Sequence, residues 1–322
     1  MSKPTLRDVA VACGVDVSTV SRALRDDPRV ARQTGLAVRA AAERLGYRPN
    51  LAAQALQAGA TRTVWVLVGS FSNAIDRCLA EHAEAVLGTA GYDVLVAIHR
   101  GDDARYERLL QRLDQGLADG ALVIPGLGVH PDSPTLRRML ERRWPLVFCD
   151  RYPDWAGVPI VTTDNAGATV ELIRRLHAAG ARRLVIAESG SNMVAAERRQ
   201  VAFRVAAAMG MPAIAGRDVA ASWFAATAGP IGVFASEQRV VLDWCRMHAD
   251  ALPADGLRFA CFDSWEGEPY PAPLAIVAEQ DFAGIASRAV GRILAAIGGQ
   301  TAHEPAVECL PPLGIHEVSA RL

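Results

Sequence analysis

The apolar positions of the chain change their period near residue 63. Before it they recur at helical spacing; beyond it, short continuous apolar runs alternate with amphipathic stretches. Leu6, Val9, Ala10 and Cys13 share one face of a first short helix, and Thr5 with Asp8 forms a capping box at its start. Gly14 supplies the left-handed residue that ends it. Asp16 is placed to cap a second helix, Val17 to about Arg25, with Val20, Ala23 and Leu24 pointing inward. A third helix is predicted from Ala31 to Leu45. Leu36, Val38, Ala41, Ala42 and Leu45 form its apolar side, and Gly46 is its stop. Tyr47-Arg48-Pro49-Asn50 then runs extended, with Asn50 able to cap a further helix. Leu51–Ala58 favours helix but spans only about two turns, so it is expected to order only against a partner. Gly59-Ala60-Thr61 reads as a small-residue hinge.

From Val64 the predicted strands are Val64–Val68, Val94–Ile98, Ala121–Ile124, Leu146–Cys149, Leu184–Ala187, Ile231–Ala235, Phe259–Phe262 and Leu274–Val277. Helical stretches lie between them: Asp76–Ala90, Ala104–Leu117, Thr135–Arg142, Asn165–Ala179, Ala195–Met209, Arg239–His248 and Phe282–Ile297. Apolar strands alternating with amphipathic helices mean parallel sheets covered on both faces. These strands are too many for one compact sheet, so the reading is α/β with two doubly wound subdomains behind an all-α head. The expected division is 1–48 for the head, 49–62 for a hinge helix and linker, and 63–322 for the body. Within the body, 63–162 with 280–308 form one subdomain and 163–279 with 309–316 the other. Ligands of such sheets bind beyond the carboxyl ends of the strands, where Asp150 and Asp263 fall.

The chain has 322 residues, is 51% hydrophobic and carries a formal charge of −1. That balance hides an asymmetry. Residues 1–62 hold ten basic and five acidic side chains, so the head is +5 and the body −6. A basic head confines phosphate attraction to one end. The six cysteines are dispersed, without CxxC pairing or histidines at zinc spacing, so they read as free thiols of a cytoplasmic protein; no metal or cofactor is expected. No apolar run is long enough to span a membrane, and the N-terminus has no signal-peptide pattern. No GxSxG, GxxxxGK[ST] or HExxH motif occurs, and the histidines are scattered, so no catalytic residue is assigned and the chain does not read as an enzyme.

A helix, a tight turn at Gly14 and a second helix with exposed small and basic residues describe a helix-turn-helix. Its second helix enters the major groove with its first residues at base edges. Val17 can meet a thymine methyl, Ser18 can donate or accept, and Arg22 can form two hydrogen bonds to guanine. Thr19, Ser21, Arg25 and Asn50 suit phosphate contacts, which set register but not sequence; Thr5 and Leu6 at the start of the first helix join the DNA-facing set.

Thr5-Leu6-Arg7-Asp8-Val9-Ala10, Gly14-Val15, Thr19-Val20-Ser21-Arg22 and Leu45-Gly46-Tyr47-Arg48-Pro49-Asn50 resemble the signature of the lac repressor (LacI/GalR) family, nearly without gaps over the head. Ser72-Asn73, Gly91-Tyr92, Asp119-Gly120, Asp150, Asp164-Asn165, Gly180-Ala181-Arg182-Arg183, Phe262-Asp263 and Gln280-Asp281-Phe282 match the family order more loosely. The resemblance implies a homodimeric transcriptional repressor on a near-palindromic operator. It also implies that Leu51–Ala58 folds on DNA with Leu56 as a minor-groove wedge and Ala53 beside it.

The resemblance further implies a body like that of periplasmic sugar-binding proteins, clamping a small-molecule effector, with carbohydrate-use genes as target. Carried over position by position, Asp150, Arg199 and Asp263 hold a sugar-like effector through bidentate hydrogen bonds, with Ser70, Phe71, Ser236 and Phe282 as walls. Asp16 stands where the family commonly has Ser, which puts a negative charge near phosphate. Ser236-Glu237 stands where it usually has Asn-Asp, and the stretch between Gly210 and Pro230 is short. The tail after Leu310 has no apolar heptad, so a dimer is favoured over a tetramer. Two other readings stay open: a sugar sensor whose head is vestigial, and a repressor without a small-molecule effector.

Overall fold

The computed structural model describes residues 4–49, 59–126, 133–152, 159–187, 192–220, 223–224, 229–250, 252, 256–263, 274–300 and 307–319. The chain divides into two compact units, Met1–Thr61 and Arg62–Leu322.

The first unit holds α1 (Leu6–Cys13), α2 (Val17–Ala23) and α3 (Arg32–Leu45). The Thr5–Asp8 box is formed: the Asp8 carboxylate accepts from the Thr5 amide at 2.7 Å and hydroxyl at 2.8 Å. Gly14 adopts φ +63°, which lets the Val15 N–H reach back to the Ala10 carbonyl at 3.2 Å and reverses the chain. The three helices close on Val9, Ala10, Val20, Ala23, Val38, Ala41 and Ala42. Two expectations fail here. Leu36 is 57% exposed and Leu45 is exposed as well. Val38 and Ala42 lie within about 40° of each other around the helix axis, whereas Leu36 sits roughly 160° from Val38. Asp16 stands at the N-cap of α2 but its carboxylate caps nothing; the first turn hangs instead on its main-chain oxygen, which accepts from Thr19 and Val20 at 2.9 and 3.1 Å.

The second unit contains two six-stranded sheets. The first lobe is entirely parallel, in the order β11-β5-β4-β3-β1-β2, from β1 (Thr63–Val68), β2 (Asp93–Ile98), β3 (Gly120–Val123), β4 (Leu146–Cys149), β5 (Ile160–Thr163) and β11 (Val307–Leu310). Its helices are α4 (Ala74–Thr89), α5 (Asp103–Asp114), α6 (Pro134–Glu141) and α10 (Phe282–Ile297). The second lobe runs β12-β10-β9-β8-β6-β7, with β6 (Arg183–Ala187), β7 (Ala213–Ala215), β8 (Ile231–Ala235), β9 (Leu257–Phe262), β10 (Leu274–Glu279) and β12 (Gly314–Ser319). Only β12 is antiparallel to its neighbour. Its helices are α7 (Asn165–Ala178), α8 (Met193–Ala208) and α9 (Gln238–Met247).

The inner strands of each sheet are buried on both faces, which explains their continuous apolar runs, whereas Leu95 and Val96 on the edge strand β2 are exposed. The chain crosses between lobes three times, between β5 and α7, between β10 and α10, and between β11 and β12. Strands β5, β11 and β12 are interrupted by polar residues and β7 is only three residues long, so the apolar pattern does not mark them. In the short 211–230 stretch, a three-residue β7 survives at the sheet edge. Trp223 and Phe224 pack there beside Trp244, and the Arg183 guanidinium lies 4.5 Å above the Trp223 ring.

Candidate functional site

Two places in the chain concentrate uncommitted polar chemistry. The first is the outer face of α2. Val17 is 41% exposed, and Ser18, Arg22 and Arg25 are exposed beside half-buried Thr19 and Ser21. The α2 residues that face inward, Val20 and Ala23, fix this orientation. Asp27 grips Arg29 with both carboxylate oxygens, and Asp26 pairs with Arg39. Arg22 acts on Asp27 only as a nearby charge, and its side chain forms no hydrogen bond or ion pair among the described residues. The Arg25 Nε donates to the Ser21 carbonyl at 3.2 Å. Thr5 is exposed with its hydroxyl spent on the cap, and Leu6 packs against the head core. Asn50, Ala53 and Leu56 lie outside the described residues.

The second place is the cleft between the two lobes. Asp150 directly succeeds β4 and Asp263 directly succeeds β9, and both adopt left-handed backbone, φ +62° and +52°. Aspartate tolerates that conformation, which turns its side chain off the strand axis at the sheet end. Both side chains are buried. In the first lobe, Arg151 donates to Asp76 Oδ1 at 3.1 Å and to the Pro125 carbonyl at 3.2 Å, and its Nε lies 3.3 Å from Asp150 Oδ2. Asp76 in turn accepts from the Gly69 and Ser70 amides at 2.9 and 3.0 Å. Gly69 has no alternative, since a Cβ there would stand 2.8 Å from the Gly126 Cα.

In the second lobe the cation buried at the cleft is Arg198, only 4% exposed. Its Nε donates to Asn165 Oδ1, its Nη2 to Gln280 Oε1, both at 2.8 Å, and its Nη1 to the Ser236 carbonyl at 2.7 Å. The guanidinium carbon sits 3.4 Å over the Phe262 ring. Gln280 completes the network: its amide nitrogen donates to Asp263 at 2.6 Å and its oxygen accepts from the Thr163 hydroxyl at 2.7 Å. Thr163, Asn165 and Gln280 lie on two of the interlobe crossings, so Arg198 ties α8 to the hinge. Burial pushes the Asp76, Asp150 and Glu237 carboxyls above the ordinary range, and that of Asp263 up to about 6.

These positions correct the sequence reading at two residues. Arg199 is exposed, whereas its neighbour Arg198 is buried at the cleft. Val194, Val201 and Ala202 mark the inner face of α8, and Arg198 lies within that stripe while Arg199 is turned about 100° away. The helical period therefore held the signal. Phe282 is buried and packs into the core under the first sheet, at the start of α10. Asp150 and Ser236 border a small deep cavity of about 40 Å³, with Arg151, Arg198, Glu237 and Gln280. Ser70 and Phe71 line an outer cavity of about 1020 Å³, together with Arg100, Arg151, Glu237 and Arg239. The deep space has room for a few water molecules, whereas the outer one reaches the upper end of the range for small-molecule sites. Asp76, Arg151 and Gln280 are site residues that the sequence pattern does not mark; Asp76 and Arg151 meet within the first lobe, and Gln280 lies on a crossing.

The chain thus combines a helix-turn-helix head with a two-lobed, doubly wound body. Family models agree with that division. The model described as bacterial regulatory proteins, lacI family, matches residues 5–50, and the model for periplasmic binding proteins and the sugar-binding domain of the LacI family matches residues 67–221. Together they cover more than half of the chain, which belongs to the LacI family. The chain is 32% identical over 209 residues to the HTH-type transcriptional regulator PtxS of Pseudomonas plecoglossicida, covering 64% of this chain and 60% of that protein. It is 34% identical over 202 residues to the maltose regulon regulatory protein MalI of Escherichia coli, covering 61% and 57%. The chain thus spans about three fifths of the length of these curated relatives. The fold matches the lac repressor dimer bound to operator and an anti-inducer with a TM-score of 0.79, at 20% identity, over 99% of this chain and 98% of that one. Among the described residues, no helix is long and apolar enough to cross a membrane.

Proposed function

We propose that the chain is a transcriptional repressor of carbohydrate-use genes whose operator affinity is set by a small molecule held between its lobes. The observation that carries the reading is the outward face of α2, which presents Val17, Ser18 and an internally unpartnered Arg22 on a rigid helical core. As a homodimer the chain would place two such helices in major grooves about 34–36 Å apart on a near-palindromic operator, with Asn50, Ala53 and Leu56 acting at the adjacent backbone and minor groove. The target class is that of the family and of the maltose regulon regulator among its relatives. The effector is sugar-like, met by Asp150, Arg198 and Asp263, with Ser70, Phe71 and Ser236 along the walls. Its occupancy biases the lobe arrangement and, by linkage, the DNA affinity. The place of action is the cytoplasm.

Gel-shift titration against the DNA flanking its own gene tests this. Arg22→Ala is expected to lower discrimination between the operator and a guanine-substituted site by about 1–3 kcal/mol. Unchanged sequence preference in that variant would refute the base-reading role.

A further inference from the structure

At the deep end of the cleft both guanidiniums are committed, whereas the Asp150 and Glu237 carboxylates are largely open. Arg151 is engaged by Asp76, Asp150 and the Pro125 carbonyl. Arg198 is engaged by Asn165, Ser236 and Gln280. Among the described residues, in contrast, the buried Asp150 carboxylate meets only the Arg151 Nε, through one oxygen. The Glu237 carboxylate accepts no hydrogen bond among the described residues. Glu237 occupies the N-cap position of α9 with extended backbone, φ −159° and ψ 159°, yet its side chain makes no capping bond. It lines both the deep and the outer cavity instead. Burial opposes its ionisation, and Arg151, Arg198 and, from the rim, Arg239 are the opposite charges that act on it. A helix start whose carboxylate is not spent on the helix leaves that carboxylate for something else.

The charge balance sets what that can be. Four carboxylates, of Asp76, Asp150, Glu237 and Asp263, share the cleft with the two guanidiniums. A ligand bearing its own acid would add a further negative charge and find both deep guanidiniums already engaged. Arg100 and Arg239 stand only at the exposed outer rim. We propose that Glu237 is a specificity-determining residue: with Asp150 it accepts hydrogen bonds from hydroxyl or amino groups of the effector, and it excludes compounds carrying a carboxylate or phosphate. This rests on the reading above that the cleft takes a small-molecule effector. Placing an unpaired charge against the wrong ligand is an effective way to reject it, because the penalty is largest where water is excluded.

The test uses the full chain, thermal-shift screening and calorimetric titration. The probes are D-glucose, D-ribose, maltose and D-glucosamine on one side, and D-gluconate, D-glucose 6-phosphate and D-ribose 5-phosphate on the other. At least one member of the first group is expected to stabilise the protein, with its acid counterpart binding about tenfold more weakly or worse. Glu237→Gln should shrink that ratio by about tenfold; Asp150→Asn serves the same purpose if the first variant does not fold. A preference for glucosamine over glucose would identify an ammonium as the donor, and equal affinity would identify hydroxyls alone. The proposal is overturned if an acid counterpart binds as tightly as its neutral form, or if the ratio in the folded variant is unchanged. A folded protein that responds to none of the seven probes would overturn the effector reading as well, which separates that failure from a failure of Glu237 alone.

Discussion

Replacing Arg198 by alanine removes a side chain that joins α8 to two of the three interlobe crossings. Three neutral acceptors then lose a charged donor: Asn165 Oδ1, Gln280 Oε1 and the Ser236 carbonyl. A hydrogen bond to a charged group contributes about 1.5–3 kcal/mol, so the gross loss is on the order of 4.5–9 kcal/mol, before the face of Phe262 loses its cation. The variant no longer bears the desolvation of a buried guanidinium, which offsets several kcal/mol. The net expectation is a loss of about 3–5 kcal/mol. For a unit of this size that lowers Tm by about 6–20 °C. Arg199→Ala is the control, one residue along on the exposed face of the same helix, and should stay within about 0.5 kcal/mol. Guanidinium unfolding of the full chain monitored by circular dichroism, with calorimetric melts in parallel, reads both. A loss under about 1 kcal/mol for Arg198→Ala, or an equal loss for Arg199→Ala, would refute the placement of Arg198 as the structural cation of the cleft.

The carboxyl of Asp263 is held up at about 6, above the ordinary value, so the folded state retains a proton that the unfolded chain releases near pH 4. Stability from this group is therefore fully present below about pH 4 and falls as pH rises to about 6, by roughly 3 kcal/mol. Unfolding midpoints at pH 5 and 7 should differ in that direction, and Asp263→Asn should reduce the difference; an undiminished difference would assign the titration elsewhere. In the head, Leu36→Lys should leave the melting of residues 1–61 within about 0.5 kcal/mol, while Val38→Ala lowers it clearly. If Leu36→Lys proves the more damaging, the outward placement of Leu36 is wrong.

Much of this was legible because the signals are local. The Thr5–Asp8 box, the Gly14 turn and the inward trio around Val20 depend on residues within a few positions of one another, and all three appear in the structure as read. The strands buried on both faces announced themselves as apolar runs. Where the reading failed, the deciding geometry was finer or more distant. Arg199 sits one position from the inward-facing Arg198 and Leu36 two from Val38, which turns their side chains by about 100° and 160°. Strands β5, β11 and β12 owe their pairing to neighbours far along the chain, and Phe282 is apolar whether it lines a pocket or fills a core.

The sequence by itself therefore determined the kind of protein: a basic helix-turn-helix head, a doubly wound body of two lobes and a family signature, since hydrophobic period and turn chemistry are properties of short stretches. Only the tertiary structure decided the chemistry of the cleft. Asp76, Arg151, Arg198, Glu237 and Gln280 come from five separate stretches of chain. Which donors are spent and which acceptors remain open depends on distances set by three crossings between lobes, and such distances are not written in the order of the residues.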